Sequence, residues 1–213
     1  MYADWDGQVE LVEQLLLGHL PVVPGGALLD CSCGNGVAVD AGLRQGWTVT
    51  GLDGSPAMVA IAQRRTRGAD LRMAGLTAIR GTVSRRFDAV ISVGNALPRL
   101  APDEVPAALA QMHSACRRGG TLMVAIRDFS RPLPSRIWRD DGVARVQARF
   151  QRQPDRTIRY VLEVQDAAGF RAHVSTLHPI SPLELEGIVA EAGFAVRRSH
   201  ESGGRWVVSA TAV

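Results

Sequence analysis

Residues 27–32 form a short apolar run that ends in a glycine-rich turn, Asp30-Cys31-Ser32-Cys33-Gly34-Asn35-Gly36, and a helical apolar pattern over 37–45 follows at once. A buried strand handed to a helix through glycines is the start of a β–α unit. The unit then repeats. Residues 48–53 read as a second strand ending on an acid, and Ser55-Pro56 opens a helix to about 67, with serine as N-cap and proline in the first turn. Residues 71–74, 88–93 and 121–126 supply three further strands, with a helix over 103–117 stopped by Gly119-Gly120. A helix over 9–20 precedes the series. Such alternation implies right-handed crossovers and a parallel sheet covered on both faces. Ligands of such sheets sit outside the carboxyl ends of the strands. That selects residues 30–36, 53–55, 74–76, 93–98 and 127–129.

After Asp128 the pattern changes. Residues 144–152, 157–166 and 171–180 read as consecutive antiparallel strands joined by turns at 153–156 and 167–169. Ser181-Pro182-Leu183-Glu184 matches a capping box that opens a helix to Gly193. Strands over 194–199 and 205–212 close the chain around Ser202-Gly203-Gly204. The expected fold is α/β: a doubly wound, Rossmann-like, mostly parallel seven-stranded sheet with an antiparallel β insertion after the fifth strand. We expect one domain over 1–213, divided into a cofactor-binding core (1–128), a substrate cover (129–180) and a C-terminal helix with closing strands (181–213).

The glycine turn discriminates between cofactors. A dinucleotide turn is Gly-x-Gly-x-x-Gly, whose third glycine lets helix and strand pack closely. Here Val39 stands in the third position, and the pattern is Asp-x-x-x-Gly-x-Gly. Two glycines let backbone approach the amino-acid part of a ligand, and Asp30 can accept from its ammonium or order the loop. Asp53, 17 residues after Gly36, can accept from both hydroxyls of a ribose. S-adenosylmethionine, which has no pyrophosphate to cradle, fits better than a dinucleotide.

Three motifs carry a resemblance to class I S-adenosylmethionine-dependent methyltransferases: residues 30–36, residues 49–58 and Arg118-Gly119-Gly120-Thr121-Leu122. Residues 87–96, with Gly94-Asn95, and Ala125-Ile126-Arg127-Asp128-Phe129 resemble more narrowly the glycine/sarcosine N-methyltransferase type. The resemblance implies S-adenosylmethionine contacts at Asp30, Cys31, Gly34, Asn35, Gly36, Asp53, Gly54, Met58, Ala74, Gly75, Leu76, Val93 and Gly94. The 73–76 loop lacks the acid that relatives often place near the adenine amine, so backbone and apolar packing are expected there. Asn95 and Arg127 are the candidate reaction-zone residues, because they follow the fourth and fifth strands. A guanidinium is a planar bidentate match for a carboxylate. Tyr2, Trp5 and His178 are added as acceptor contacts. His173 and His178 are the candidate bases for a hydroxyl acceptor, and His113 reads as a packed helix residue.

The expected activity is methyl transfer to a small molecule, with the nitrogen of an amine or amino acid favoured. Small-molecule O-methylation and cofactor binding without turnover are the alternatives. Asn95-Ala96-Leu97-Pro98 is not the Asn/Asp-Pro-Pro-Tyr type used on base amines, and a net charge of +3, from 24 scattered arginines against 21 acids, gives no basic stripe. No nucleic acid partner is expected. Three cysteines make neither a disulfide framework nor a zinc site, so no metal is expected. No apolar run reaches membrane-spanning length, and the acidic N-terminus lacks a basic-then-apolar leader. A cytoplasmic protein is expected, with a homo-oligomer left open.

Overall fold

The computed structural model describes residues 4–133, 137–140 and 144–213. The chain runs α1 (Trp5–His19), β1 (Ala27–Asp30), α2 (Val37–Arg44), β2 (Thr48–Asp53), α3 (Pro56–Arg65), β3 (Asp70–Met73), α4 (Ile79–Thr82), β4 (Phe87–Val93), α5 (Glu104–Ala115) and β5 (Cys116–Arg127). It continues through β6 (Ile137–Asp140), β7 (Ala144–Arg152), β8 (Ile158–Asp166), β9 (Gly169–Leu177), α6 (Pro182–Glu191), β10 (Phe194–Ser202) and β11 (Arg205–Ala212).

Seven strands form one sheet in the order β10-β11-β5-β4-β1-β2-β3. β1 pairs in parallel with both β2 and β4, and β4 with β5, while β11 lies antiparallel to β5 and β10. Strand alternation divides the core into two layers. Leu28, Val49, Ile91, Met123 and Ala125 point toward α1 and α2, whereas Leu29, Leu52, Val90, Leu122 and Val124 point toward α5 and α6. Leu28 and Leu29 are both fully buried, so truncating either to alanine costs about 2–5 kcal/mol. The strand order reverses between β1 and β4, which places the ligand crevice outside their carboxyl ends.

The insertion is a second, four-stranded antiparallel sheet, β6-β7-β8-β9. It has a small core of Phe129, Phe150, Ile158 and Leu177. Polar contacts among the described residues hold it against the ends of β4 and β5. His178 N–H donates to the Pro98 carbonyl at 2.7 Å, Arg99 Nη1 to Ser175 Oγ at 2.9 Å, and Arg152 Nη2 to the Phe129 carbonyl at 2.6 Å.

Several elements differ from the sequence reading. The strand expected over 171–180 runs over Gly169–Leu177, because His178 leaves the ladder to bond Pro98. α5 stops at Ala115 and β5 starts at Cys116, since Cys116 pairs with Phe87 and the register slips before Ala89. β6 was not anticipated; four residues are too few to show a period. α4 and the 3-10 turn over Leu97–Arg99 were missed for the same reason. The capping box at Ser181 and Glu184 is present in full, and Ser55 Oγ accepts from Met58 N–H at 3.4 Å at the start of α3.

Candidate active site

Gly34 (φ 53°) and Gly36 (φ 98°) both lie in the left-handed region, where side-chain-bearing residues are strained. A Cβ on Gly36 would lie 2.9 Å from Thr66 Cγ2 and 3.2 Å from Ala62 Cβ. The turn therefore packs against α3 only because that position is bare. Gly36 also heads α2, and its carbonyl accepts from Asp40 N–H at 2.9 Å.

Two acids brace the turn. Asp30, 1% exposed, accepts from Ser32 N–H at 3.0 Å. Burial, with the nearby Asp53 charge adding to it, raises its pKa to about 7 against the pull of the Ser32 bond. Asp53 accepts from Gly34 N–H at 2.9 Å and from Ser55 N–H at 2.8 Å, tying the ends of β1 and β2 together. A carboxylate has about four lone-pair sites, and half-buried Asp53 keeps capacity beyond these two bonds. Sequence reasoning assigned Asp53 to a ribose; the structure adds that it also fastens the turn. Burial pushes the Cys31 thiol well above its ordinary range. Cys31 is thus a packed neighbour of the turn and no thiolate.

The remaining expected cofactor contacts lie at the carboxyl ends of β2, β3 and β4 and in the first turn of α3. Gly54 and Gly75 approach each other, with a Cβ on Gly54 reaching 3.7 Å from the Gly75 Cα. Ala74 N–H donates to the Asp53 carbonyl at 3.0 Å, and the Leu76 side chain is buried in the α5–α6 core layer. Met58 lies half-buried in the first turn of α3. Half-buried Val93 ends β4, and Gly94 (φ 124°) donates its N–H to the Ala125 carbonyl at 2.9 Å.

These residues fit S-adenosylmethionine. The bare positions at Gly75 and Gly94 face open space, with nothing within 4 Å of an added Cβ. Asn35 Nδ2 is buried with no hydrogen-bond partner, an orphaned donor beside the glycine turn. Such a donor costs about 1–3 kcal/mol unless a partner meets it.

Arg127 and Asn95 meet at the ends of β5 and β4. Asn95 Oδ1 accepts from Arg127 N–H at 2.8 Å. The Arg127 guanidinium stands 5.0 Å over the Phe150 ring of β7. Phe150 packs against Tyr160 of β8, ring centroids 5.0 Å apart, and Arg99 covers Tyr160 at 5.5 Å. Burial lowers the Arg127 pKa, with Arg205 acting in the same direction.

The other expected acceptor contacts lie elsewhere or apart. Trp5 Nε1 donates to Asp40 at 2.8 Å and Arg65 covers the indole at 4.4 Å. Its polar and ring contacts therefore tie α1 to α2 and α3, and none reaches Asn95 or Arg127. His178 is half-buried, and its backbone N–H bonds the Pro98 carbonyl. His173 is exposed on β9, and His113 stacks edge-on with Phe194 at 4.9 Å, inside the fold as expected. Tyr2 lies outside the described residues. Sequence reasoning missed Phe150, Tyr160, Arg99 and Arg205. Phe150 and Tyr160 face each other in the β7–β8 ladder, a register that the 153–156 turn fixes and that was open to inference.

Residues 28–120 match the methyltransferase domain family. The chain is also similar over its whole length to the S-adenosylmethionine-bound amino pentose methyltransferase CalS10 of Micromonospora echinaspora. That likeness has a TM-score of 0.75 at 26% identity and covers 98% of this chain and 92% of that one. Residues 28–120 thus resemble a methyltransferase domain, and the fold around them is that of an S-adenosylmethionine-bound methyltransferase. DesVI of Streptomyces venezuelae shares this fold, with a TM-score of 0.79 at 23% identity over 99% of this chain and 92% of that one. In sequence, a glycine/sarcosine N-methyltransferase of Parasynechococcus marenigrum (strain WH8102) is 28% identical over 135 residues, 61% of this chain and 48% of that protein. An uncharacterized methyltransferase of Synechocystis sp. is 30% identical over 132 residues, 62% of this chain and 60% of its own length. The match thus spans only about half to three-fifths of either curated relative.

Proposed function

We propose that this protein methylates the nitrogen of a small acceptor that carries an acidic group, with Arg127 as the anchor for that group. The observation that carries the reading is the mounting of Arg127. Its backbone is latched to Asn95, its guanidinium lies on Phe150, and it stands where the insertion meets the carboxyl edge of the sheet. Two likenesses support an amine acceptor: the glycine/sarcosine N-methyltransferase in sequence and the amino pentose methyltransferase in structure.

When bound, S-adenosylmethionine supplies an electrophilic methyl group on its sulfonium. The chain's own residues bind, orient and exclude water. Gly34 and Gly36 let the backbone approach the amino-acid end, Asp30 lies behind the turn as counter-charge, and Asp53 offers its remaining lone pairs to the ribose. The exposed backbone at Gly75, with nothing within 4 Å of an added Cβ, leaves room for the adenine beside the 74–76 loop. Asn95 fixes the distance between the β4 and β5 ends, so that an acceptor held by Arg127 keeps one orientation toward the cofactor. Alignment and desolvation are what such a transfer requires from the protein. An amine that arrives neutral needs no strong base, and neither His173 nor His178 contacts Asn95 or Arg127. That favours nitrogen over oxygen.

The test is labelled-methyl transfer from S-adenosylmethionine to a panel of glycine, sarcosine, amino sugars and their hydroxyl counterparts. Arg127→Glu should abolish turnover of acidic amines, by about a hundredfold or more for a lost charge partner, and leave cofactor affinity intact. Unchanged turnover in that variant overturns the anchor role. Preferred transfer to hydroxyl acceptors overturns the amine.

A further inference from the structure

At the carboxyl end of β5 the sheet sets two guanidinium groups against each other. Arg127 and Arg205 are direct partners in the antiparallel β5–β11 ladder. Side chains opposed in this way share one face, and like charges so placed destabilise the pair. The two do sense each other, because Arg205 is among the groups that lower the Arg127 pKa. Among the described residues, no carboxylate pairs with either guanidinium. The nearest acids in sequence are committed elsewhere. Asp128 accepts from Ser130 at 2.9 and 2.6 Å and pairs with Arg131 at 3.4 Å. Glu201 pairs with Arg131 at 3.1 Å and accepts from Gly204 N–H at 2.6 Å.

Arg127 also keeps an unused donor. Its Nε is buried and has no hydrogen-bond partner. Phe150 covers a face of the guanidinium and leaves the N–H edge, where an oxyanion binds. Arg205, by contrast, is exposed and takes no part in the core. Nothing in the folding of the sheet asks for a second cation at this position, and the repulsion works against it.

We infer that Arg205 joins Arg127 in binding the acidic group of the acceptor, and that this group is a dianion of the phosphate type. One guanidinium fork satisfies a carboxylate, whereas a phosphate oxyanion carries enough charge and enough acceptor oxygens for two. The inference rests on the reading of Arg127 as acceptor anchor given above, and it narrows the acceptor to an amine bearing a phosphate-like group.

Calorimetric titration of the full chain with inorganic phosphate and with acetate tests it, using wild type, Arg205→Gln and Arg127→Gln. Circular dichroism and S-adenosylmethionine affinity serve as folding controls. Wild type is expected to bind phosphate about tenfold or more tightly than acetate. Arg205→Gln should weaken phosphate binding about tenfold, the scale of one lost charge-assisted contact, and acetate binding less than about threefold. Arg127→Gln should weaken both. In parallel, transfer to 2-aminoethyl phosphate should exceed transfer to glycine, and Arg205→Gln should raise KM for the phosphate alone. A phosphate affinity that is unaltered in Arg205→Gln, or no phosphate preference in wild type, overturns the inference while leaving the Arg127 anchor standing. If the anion titrations behave as expected but no amine accepts a methyl group, the methyl-transfer reading fails and the two-arginine site remains.

Discussion

Asn95 Oδ1 accepts the backbone N–H of Arg127 at 2.8 Å, so a side chain from the end of β4 fixes where β5 ends. The bond stands in for the ladder, which pairs Val93 with Ala125 and goes no further along the two strands. It couples the turn facing the cofactor crevice to the arginine proposed to hold the acceptor.

Replacing Asn95 by alanine leaves that N–H without its partner in a half-buried place, at a cost of about 1–3 kcal/mol. KM for the acceptor should rise and kcat should fall, with cofactor affinity within about twofold of wild type. Asn95→Asp keeps an accepting oxygen and should restore part of the loss. Steady-state kinetics with calorimetric cofactor titration separate these outcomes. An alanine variant with unaltered KM and kcat shows that the latch does not position the acceptor.

Asp53→Ala removes two charge-assisted bonds, to Gly34 N–H and Ser55 N–H, along with the proposed ribose acceptor. S-adenosylmethionine affinity should drop about tenfold to a hundredfold, the scale of one or two such bonds. Asp53→Asn keeps one accepting oxygen and should lose less. Isothermal titration reads both variants, and equal affinity for alanine and wild type rules out a cofactor role for Asp53.

The pKa of Asp30 is raised to about 7 by burial, from an ordinary carboxyl value of 3.8. Between these values the folded chain binds a proton that the unfolded chain has released. The contribution of Asp30 to stability is therefore favourable at low pH, declines as pH climbs from about 4 to about 7, and levels off above. A ligand ammonium placed beside it would favour the ionised form and release that proton. Cofactor titrations near pH 7 in buffers of different ionisation enthalpy should show about one proton released or less, and Asp30→Asn should abolish the difference. Identical apparent enthalpies in all buffers would count against a buried proton on Asp30.

Gly36→Ala is strained twice over. Its φ of 98° disfavours any Cβ, and that Cβ would lie 2.9 Å from Thr66 Cγ2. The variant should lose about 1–3 kcal/mol. Pairing it with Thr66→Ser, which removes the obstructing methyl, should recover the steric part and leave the backbone part. Chemical denaturation of the single and double variants measures the division.

Local chemistry explains what could be read without coordinates. The turn at 30–36, the Ser55 cap and the Ser181–Glu184 capping box each depend on residues a few positions apart. Their hydrogen bonds close small rings that any fold containing them must form. The alternation of apolar strands and helices then limits the chain to a covered parallel sheet, which in turn locates the crevice. The first strand, the first glycine turn and Asp53 were legible for this reason.

Arg127 was legible as a residue following a strand, but the partners that define it were not. Asn95 reaches it across the β4–β5 junction, Phe150 arrives from an inserted sheet, and Arg205 faces it only because β11 runs antiparallel beside β5 in one particular register. Shifting a strand by one residue sends every side chain to the other face, so no local pattern can choose among these neighbours. The amino-acid sequence determined the glycine turn and the edge of the sheet proposed to hold the cofactor. The packing of distant strands decided which groups stand around the acceptor, because only the closed sheet sets their register.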